Sequence, residues 1–307
     1  MNTAMPHALF VGDLTVDLTL LIDHVPAPDE KVHVTDAREA PGGVIANAAV
    51  ACSRSGGASR LMVQVGNDGG AGPAVDGLRQ QGVIVETAVV AGRTARVVIL
   101  IEPHGEKRLL LHPGVSLYPG EAAMAGLDLS GAAWVHTAVY GSSAFSLIDR
   151  CRRAGIPWSL DLEPATFPDG IDTLAALIPG AVVFCNDQAA ATIGFESDMR
   201  LLALGAAAVI RTRGAAGAEL VTASGTTNVA APRLGPVVDT TGAGDCLAGW
   251  FIGAHVAGQP MATALRAAVT AATLSCQASG AQTSYPTLSD VDRLLADAAS
   301  SFSRETS

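Results

Sequence analysis

The sequence predicts an α/β fold, in which helices cover both faces of a mainly parallel β-sheet. Short apolar runs alternate with helical segments along most of the 307 residues, and this alternation is typical of βα units. Two β-rich stretches, at about 18–38 and 95–112, interrupt it. We expect these stretches to form a small separate sheet, a β lid, on one domain that spans residues 1–307.

The elements of the first half follow from apolar runs with glycine or proline stops. ALFVGD predicts a buried strand that ends at Gly12. LTLLID and EKVHVTDA predict two strands around a proline-rich turn, and PGGVIANAAVACSRSGG predicts a turn that runs into a helix. RLMVQVG is the next predicted strand, GPAVDGLRQQGV the next helix, and ARVVILIEPHGEKRLLLH predicts a hairpin.

The second half predicts further strands separated by helical segments such as SAFSLIDRCRRAG. The strands are AAWVHTAV, IPWSLDL, GAVVFCN and AAAVIRTRG. The apolar stretch CLAGWFIGAHVAG predicts a buried helix. The glycine-rich segment before it therefore lies at a helix N-terminus.

Composition disfavours several classes of partner. The net charge is −10, and the only lysines are Lys31 and Lys107, so neither nucleic acid nor an anionic membrane is expected to bind. No run of 18 apolar residues predicts a transmembrane helix, and the N-terminus lacks the basic region of a secretory signal. The five cysteines are scattered, which predicts a reducing, cytoplasmic location.

The segment DTTGAGD, residues 239–245, has the features of an anion site. Free amides at a helix N-terminus bind negative charge, and small side chains let a ligand approach them. Asp245 lies beside these amides, where a carboxylate suits a base that takes a proton from an attacking hydroxyl. The alternative is that Asp239 and Asp245 are ordinary acids at a helix start, which the helix dipole favours.

Several motifs together resemble the ribokinase-like (PfkB) carbohydrate kinase family. VVDTTGAGDCLAG resembles the family's C-terminal signature, GDLTVD its first strand, and APGGVIANAAVACSRSGG its substrate loop. VQVGNDGGAG, RTRGAAGAEL and GAQTSYPT resemble further family segments in the same order. The resemblance covers nearly the whole chain. It implies a three-layer α/β/α sandwich with a β lid and an ATP-dependent kinase that uses Mg²⁺.

The resemblance also implies roles for individual residues. Asp245 is the expected catalytic base, and an anion hole is expected from Gly242, Ala243 and Gly244. The expected acceptor-binding residues are Asp17, Gly42, Gly43 and Asn47. The expected nucleotide-binding residues are Asn186, Thr212, Gly214, Gly217 and Gly244. Asp239 is expected near the phosphates or near a monovalent cation such as K⁺.

The chain departs from the family pattern at the Mg²⁺ site and at the position beside the adenine. The family often has N-x-x-E where this chain has Asn186-Asp187-Gln188-Ala189, so the Glu that organises hydrated Mg²⁺ is missing. Asp187 either substitutes in part or is a plain acid at a helix N-terminus. An Asn that often lies by the adenine is replaced by Val269 or Thr270.

The acceptor side indicates a neutral small molecule. Ribokinases continue the Gly-Gly loop with Lys, whereas Val44 follows here, and a phosphorylated acceptor normally needs a cation at this place. The sequence thus favours a sugar, a sugar acid or a nucleoside, unless Arg38, Arg96 or Arg108 of the lid strands points inward. A nucleoside kinase of the same fold and a catalytically weak binding protein remain alternatives.

The predicted lid strands are apolar enough to suggest an interface. VVILI and LLLH are hydrophobic for an exposed hairpin. In enzymes that the chain resembles, such lids often pair between subunits. We therefore expect a homodimer through the β lid.

Overall fold

The computed structural model describes residues 6–104 and 106–305. Its strands are β1 (His7–Gly12), β2 (Thr15–Ile22), β3 (Val34–Gly42), β4 (Ser59–Gly66), β5 (Ile84–Val90), β6 (Arg96–Ile101), β7 (Lys107–His112), β8 (Ala132–Ala138), β9 (Trp158–Leu162), β10 (Val182–Cys185), β11 (Ala208–Thr212), β12 (Ala218–Thr222) and β13 (Gly225–Val229). Its α-helices are α1 (Val44–Arg54), α2 (Ala71–Gln80), α3 (Glu121–Gly126), α4 (Ser143–Ala154), α5 (Asp187–Ile193), α6 (Ser197–Ala203), α7 (Ala243–Val256), α8 (Met261–Ser275) and α9 (Leu288–Glu305).

The main sheet has nine strands in the order β13-β12-β11-β10-β9-β8-β1-β4-β5. All pairs from β11 to β5 are parallel, so these strands end at one common edge. Only β12 and β13, at one side of the sheet, pair antiparallel. Ligands of open parallel sheets bind outside the carboxyl ends of the strands, and the candidate site lies at that edge.

Helices cover both faces of the main sheet and complete three layers. One apolar cluster joins the sheet to α1, α2, α7 and α8, and a second joins its other face to α3, α4, α5 and α6. Strands buried on both faces read as continuous apolar runs, which is why the sequence revealed most of them. The prediction of an α/β/α sandwich is confirmed.

A second sheet of four strands, in the order β3-β2-β6-β7, forms the lid. β2 pairs antiparallel with β3 and parallel with β6, while β6 and β7 form an antiparallel hairpin. β7 is an edge strand, and Leu109, Leu110 and Leu111 on it are 66%, 58% and 52% exposed. The prediction of a small separate β-sheet is thus confirmed. β3 starts later than the sequence suggested and runs on through Pro41 to Gly42, where a turn was expected.

Helices α1 and α7 pack closely, and this contact builds the site. The side chains from Cys246 to Gly253 on α7 are all buried. Gly249 lies directly against the backbone of α1, where even a methyl group would overlap the carbonyl oxygen of Ala48. The glycine therefore lets the two helices approach until residues at their first turns touch. Within the described part of the chain, no helix is both long and apolar enough to cross a membrane.

Candidate active site

Asp245 and Asn47 meet where α7 and α1 begin. The side-chain amide of Asn47 donates a hydrogen bond of 2.8 Å to Oδ2 of Asp245. Asp245 is partly exposed, whereas Asn47 is buried. The two residues that the sequence assigned to catalysis and to acceptor binding are thus direct partners, although 198 positions separate them.

A chain of hydrogen-bonded side chains, here called the amide file, continues from Asn47 away from Asp245. Sequence reasoning missed it. Gln282 donates to Oδ1 of Asn47 at 2.9 Å, Gln81 donates to Gln282 at 2.8 Å, and Arg54 donates to Gln81 at 3.4 Å. Every bond runs in the same sense. The file fixes the orientation of the Asn47 amide, so that its NH₂ group faces the carboxylate of Asp245.

The amides at the start of α7 are available only in part. Gly242 caps the helix in the left-handed conformation, with φ 71°. The N–H of Ala243 donates to the carbonyl of Thr240 at 3.2 Å, so this amide of the expected anion hole is already engaged. Among the described residues, the N–H groups of Gly242, Gly244 and Asp245 have no hydrogen-bond partner. These three amides can receive an anion.

Asp17 and the two glycines of the substrate loop are also in contact. The Asp17 carboxylate lies directly over the Cα of Gly42, where a methyl group would overlap it, and it accepts a hydrogen bond of 2.5 Å from Thr15. Gly43 follows with φ 106° and precedes α1. The first turn of α1 therefore connects Asp17 and Gly42 to Asn47 and Asp245.

The N-terminus of α1 is already occupied by a carboxylate of the chain. Asp13 accepts hydrogen bonds from the amides of Val44 at 2.9 Å and Ile45 at 3.0 Å. Burial raises the pKa of Asp13 to about 6, although these two amides oppose the shift. The turn after the two glycines is thus a capped helix start and offers no free amides of Val44 or Ile45 for a phosphate on the acceptor.

Further carboxylates stand beside Asp245. Burial, with repulsion from Glu163 and Asp13, raises the pKa of Asp161 to about 8. Burial also raises the pKa of Asp245 well above its usual range, and repulsion from Asp161 and Glu163 raises it further. Tyr140 donates its hydroxyl to Glu163. This side of the site is therefore acidic and favours bound protons and neutral or cationic groups.

A cavity of about 290 Å³ opens on the other side of the α7 N-terminus. It is lined by four residues that the sequence assigned to the nucleotide, Thr212, Gly214, Gly217 and Gly244, together with Val269. No Asn, Gln or charged side chain is among its lining residues. The cavity can hold a flat apolar base, and Val269 stands on its wall without a polar group to read the base edge.

Asn186 and Asp187 lie apart from this cavity. The Asn186 side chain caps α5 by accepting from the amide of Ala189 at 2.8 Å, and Asn186 is not among the cavity's lining residues. Asp187 accepts from Arg211 at 2.9 Å. Because that ion pair engages Asp187, its geometry favours the plain helix-start acid over a substitute for the missing Glu.

Asp239 does not fit the expected monovalent cation. Its Oδ1 accepts from the ammonium of Lys107, from the amide of Thr241 at 2.9 Å and from the hydroxyl of Thr241 at 2.7 Å. Its Oδ2 accepts from the amide of Gly280 at 2.9 Å. Burial alone would raise the pKa of Asp239, but these donors outweigh it and lower the pKa to about 2.

The lid arginines that the sequence left open lie in other contacts. Arg38 pairs with Asp36 at 2.7 Å, and Arg108 pairs with Glu106 at 3.2 Å. Arg96 lies against Gly70. Arg38 and Arg108 thus pair with acidic residues of the lid itself.

The fold and the cleft define a phosphotransferase that acts on a hydroxyl group. Residues 5–288 match the sequence pattern described as pfkB family carbohydrate kinase, and the chain belongs to this family. It is similar to the ATP-dependent ribose-1-phosphate kinase of Halopiger xanaduensis, at 28% identity over 95% of this chain and 99% of the relative. It is therefore an ATP-dependent kinase of the sugar and nucleoside class.

Solved structures share the fold. Ribokinase from Thermotoga maritima superposes with a TM-score of 0.81 at 24% identity, over 95% of this chain and 99% of that one. A nucleoside kinase from Burkholderia thailandensis in complex with inosine superposes with a TM-score of 0.78 at 23% identity, over 95% and 96% of the two chains. These likenesses agree with the three layers and the small second sheet described above.

Proposed function

We propose that this kinase transfers the γ-phosphoryl group of ATP to a hydroxyl of a neutral sugar. One observation carries the choice of acceptor: the acceptor side presents carboxylates and a capped helix start, and none of the ion pairs among the described residues brings a Lys or Arg to Asp13, Asp17, Asp161 or Asp245. Asp13 occupies the amides of α1, Val44 stands where a Lys would hold a phosphate, and the lid arginines lie in other contacts. A sugar presents several hydroxyls, which carboxylates and amides bind well.

The residues divide the reaction between them. Asp17, Gly42, Gly43 and Asn47 hold the acceptor, and Asp245 removes the proton of the reacting hydroxyl. That oxygen then bonds to the γ-phosphorus, and the bond from this phosphorus to the bridging β-phosphate oxygen breaks, so that ADP leaves. The free amides at the start of α7 stabilise the charge on the transferred group.

The nucleotide occupies the apolar cavity on the other side of α7. Thr212, Gly214 and Gly217 line it, whereas Asn186 caps α5 and is not among its lining residues. When bound, Mg²⁺ would offset the negative charge of the phosphates. In the described part of the chain, no three His, Cys, Asp or Glu side chains converge on a metal site, so phosphate oxygens and water would supply most of its ligands.

A nucleoside kinase is the second candidate. The nucleoside kinase that shares this fold was solved with inosine, and carboxylates suit ribose hydroxyls on a nucleoside as well as on a free sugar. A ribose phosphate, suggested by the relative from Halopiger xanaduensis, fits the acidic acceptor side poorly. A catalytically weak binding protein is the least favoured hypothesis, because Asp245 is hydrogen-bonded to Asn47 and lies beside the free amides.

Acceptor kinetics test the proposal. Release of ADP is measured with Mg-ATP and a panel of free sugars, sugar acids, phosphorylated sugars and nucleosides, for the wild type and for Asp245→Asn. A neutral sugar is expected to give the highest kcat/KM, and the variant is expected to lose about 10²–10⁴-fold in kcat. A nucleoside as best acceptor would favour the second candidate. A phosphorylated sugar as best acceptor would refute the argument from the acidic side.

The proposal also includes the domain organisation, the oligomeric state and the cellular location of the enzyme. Residues 1–307 form one kinase domain with its lid, and two copies pair through the lid, whose edge strand β7 exposes three leucines. All five cysteines are free, and Cys276 alone is not fully buried. Unpaired thiols are typical of a reducing compartment, which supports a cytoplasmic enzyme.

A further inference from the structure

Lys107 connects the tip of the lid to the segment that carries the anion site. It begins β7 and pairs with Ile101 at the end of the hairpin. Its ammonium donates to Asp239 Oδ1 and to the hydroxyl of Thr241. Among the described residues, this is the one ion pair that joins the lid strands to the main body.

The pair is shielded from solvent. The Lys107 side chain is 28% exposed and that of Asp239 is 9% exposed. Water and salt therefore screen this pair less than a surface ion pair. Without the ammonium, the carboxylate of Asp239 would keep only its hydrogen bonds from Thr241 and Gly280, and its full negative charge would stand beside the phosphate path.

The contacts of Asp239 explain how the ammonium acts on the anion site. Asp239 holds both the amide and the hydroxyl of Thr241, and the next residue is Gly242, whose N–H is free for an anion. The loop after α8 is fixed to the same carboxylate through Gly280. Lys107 thus neutralises the carboxylate that orients the anion-binding turn.

We propose that Lys107 is a positioning residue whose tethered ammonium takes the place of a monovalent cation at Asp239. The charge arrives with the lid, so closure over the acceptor and completion of the anion site are one event. Two consequences follow. The enzyme needs no added K⁺, and a turnover with the lid open lacks a positive charge next to the transferred group. The inference rests on the proposed phosphoryl transfer.

Lys107→Met, Lys107→Arg and the matched control Arg108→Met test this role. Activity is measured in buffers whose only cation is tetramethylammonium or Mg²⁺, with and without K⁺ or NH₄⁺. Wild type is expected to respond to neither ion. Lys107→Met is expected to lose about 10²-fold in kcat, as on loss of one oxyanion donor, with a smaller change in KM for ATP. K⁺ or NH₄⁺ should restore part of that loss.

The other variants separate charge from structure. Lys107→Arg keeps a cation and should stay insensitive to K⁺, and Arg108→Met, on the adjacent solvent-facing residue, should behave as wild type. An unchanged kcat in Lys107→Met, or a loss that neither ion restores, overturns the inference. Activation of wild type by K⁺ overturns it as well.

Thermal melting gives a readout that does not depend on the acceptor. The wild type is melted in chloride salts of K⁺ and of tetramethylammonium at equal ionic strength. Equal melting temperatures support the tethered cation, and stabilisation specific to K⁺ overturns it, even if no acceptor is found. Failure of every acceptor with Mg-ATP would instead count against the proposed function. The two failures are thus distinguishable.

Discussion

Replacing Asp161 by Asn should stabilise the protein at high pH and leave it unchanged at low pH. Burial and then the nearby charges of Glu163 and Asp13 raise the pKa of Asp161 from 3.8 to about 8. The folded protein therefore keeps this proton up to a higher pH than the unfolded chain does. Its contribution to stability is complete below about pH 4 and is lost as the pH rises through about 8.

The size of the effect follows from the shift. A displacement from 3.8 to about 8 corresponds to about 5–6 kcal/mol at about 1.4 kcal/mol per pKa unit. Because solvent reaches Asp161 in the cleft, we reduce this to about 1–3 kcal/mol. For 307 residues and about 2.1 cal/mol/K of unfolding entropy per residue, the melting temperature should rise by about 2–5 °C.

Calorimetric melting of wild type and Asp161→Asn at about pH 5 and about pH 9 measures most of this difference, namely the part lost between about pH 5 and the folded pKa of about 8. Asp149→Asn is the control, because Asp149 lies on the surface in a pair with Arg153 and should show a small effect that is the same at both pH values. A gain for Asp161→Asn that is equal at both pH values, or a loss at high pH, would refute the reasoning.

Three further substitutions test separate parts of the structure. Gly42→Ala places a methyl group into the carboxylate of Asp17 and should raise KM for the acceptor about tenfold or more, by about 1–3 kcal/mol, with KM for ATP unchanged in the same assay. Gln282→Met removes the donor to Asn47 Oδ1 and should lower kcat by about 5–30-fold, as expected for about 1–2 kcal/mol of lost orientation. Leu110→Asp places a charge on the exposed edge strand and should convert a dimer into a monomer in light scattering.

Each of these expectations has an opposite outcome that decides against it. An acceptor KM that does not change in Gly42→Ala would show that Asp17 and Gly42 do not form the acceptor contact. In Gln282→Met, a fall in melting temperature with full kcat would show that the amide file stabilises the fold but does not orient Asn47 for catalysis. For the lid, Arg38→Asp on the other edge strand is the control for Leu110→Asp, and an unchanged mass in Leu110→Asp would place the interface elsewhere.

The fold was predictable where strands are buried on both faces, and less so at the edges of the sheets. Four strands of the main sheet appear in the sequence as apolar runs that could be assigned only as strands. These are β8, β9, β10 and β11. β5 was not foreseen, since it alternates between exposed and buried positions at the edge of the main sheet. β13 was missed because its sequence GTTNV is mostly polar and exposed. Edge strands bury one side only, so their apolar signal is weaker.

The site was predictable from motifs only where both partners belong to a motif. Asn47 and Asp245 do, and they are bonded. Gln282 and Gln81 touch only because α1, α2 and the loop after α8 converge, and no spacing in the chain encodes this. Two other features of the sequence did point to the site.

The first was the position of Asp161, which lies near the carboxyl end of a buried strand, where open sheets bind ligands.

The second signal was the scarcity of lysine. Lys107 is one of two lysines in the chain, and it sits next to the turn of a predicted hairpin. A long cationic side chain at the tip of a lid can reach across to the body when the lid closes. The sequence could not show which group it reaches, because that depends on how the lid folds over the main sheet.

The charges around α7 are arranged in a way that suits the direction of phosphoryl transfer. On the acceptor side, burial and then the charges of Asp161, Glu163 and Asp13 raise the pKa of Asp245, which makes its carboxylate a stronger base for a hydroxyl proton. On the nucleotide side, free amides and the ammonium of Lys107 favour negative charge. In the proposed reaction, the proton therefore moves toward the acidic side while the negative phosphoryl group is held from the positive side. Because one helix start separates the two sides, the proposed closure of the lid would place both next to the reacting oxygen at once.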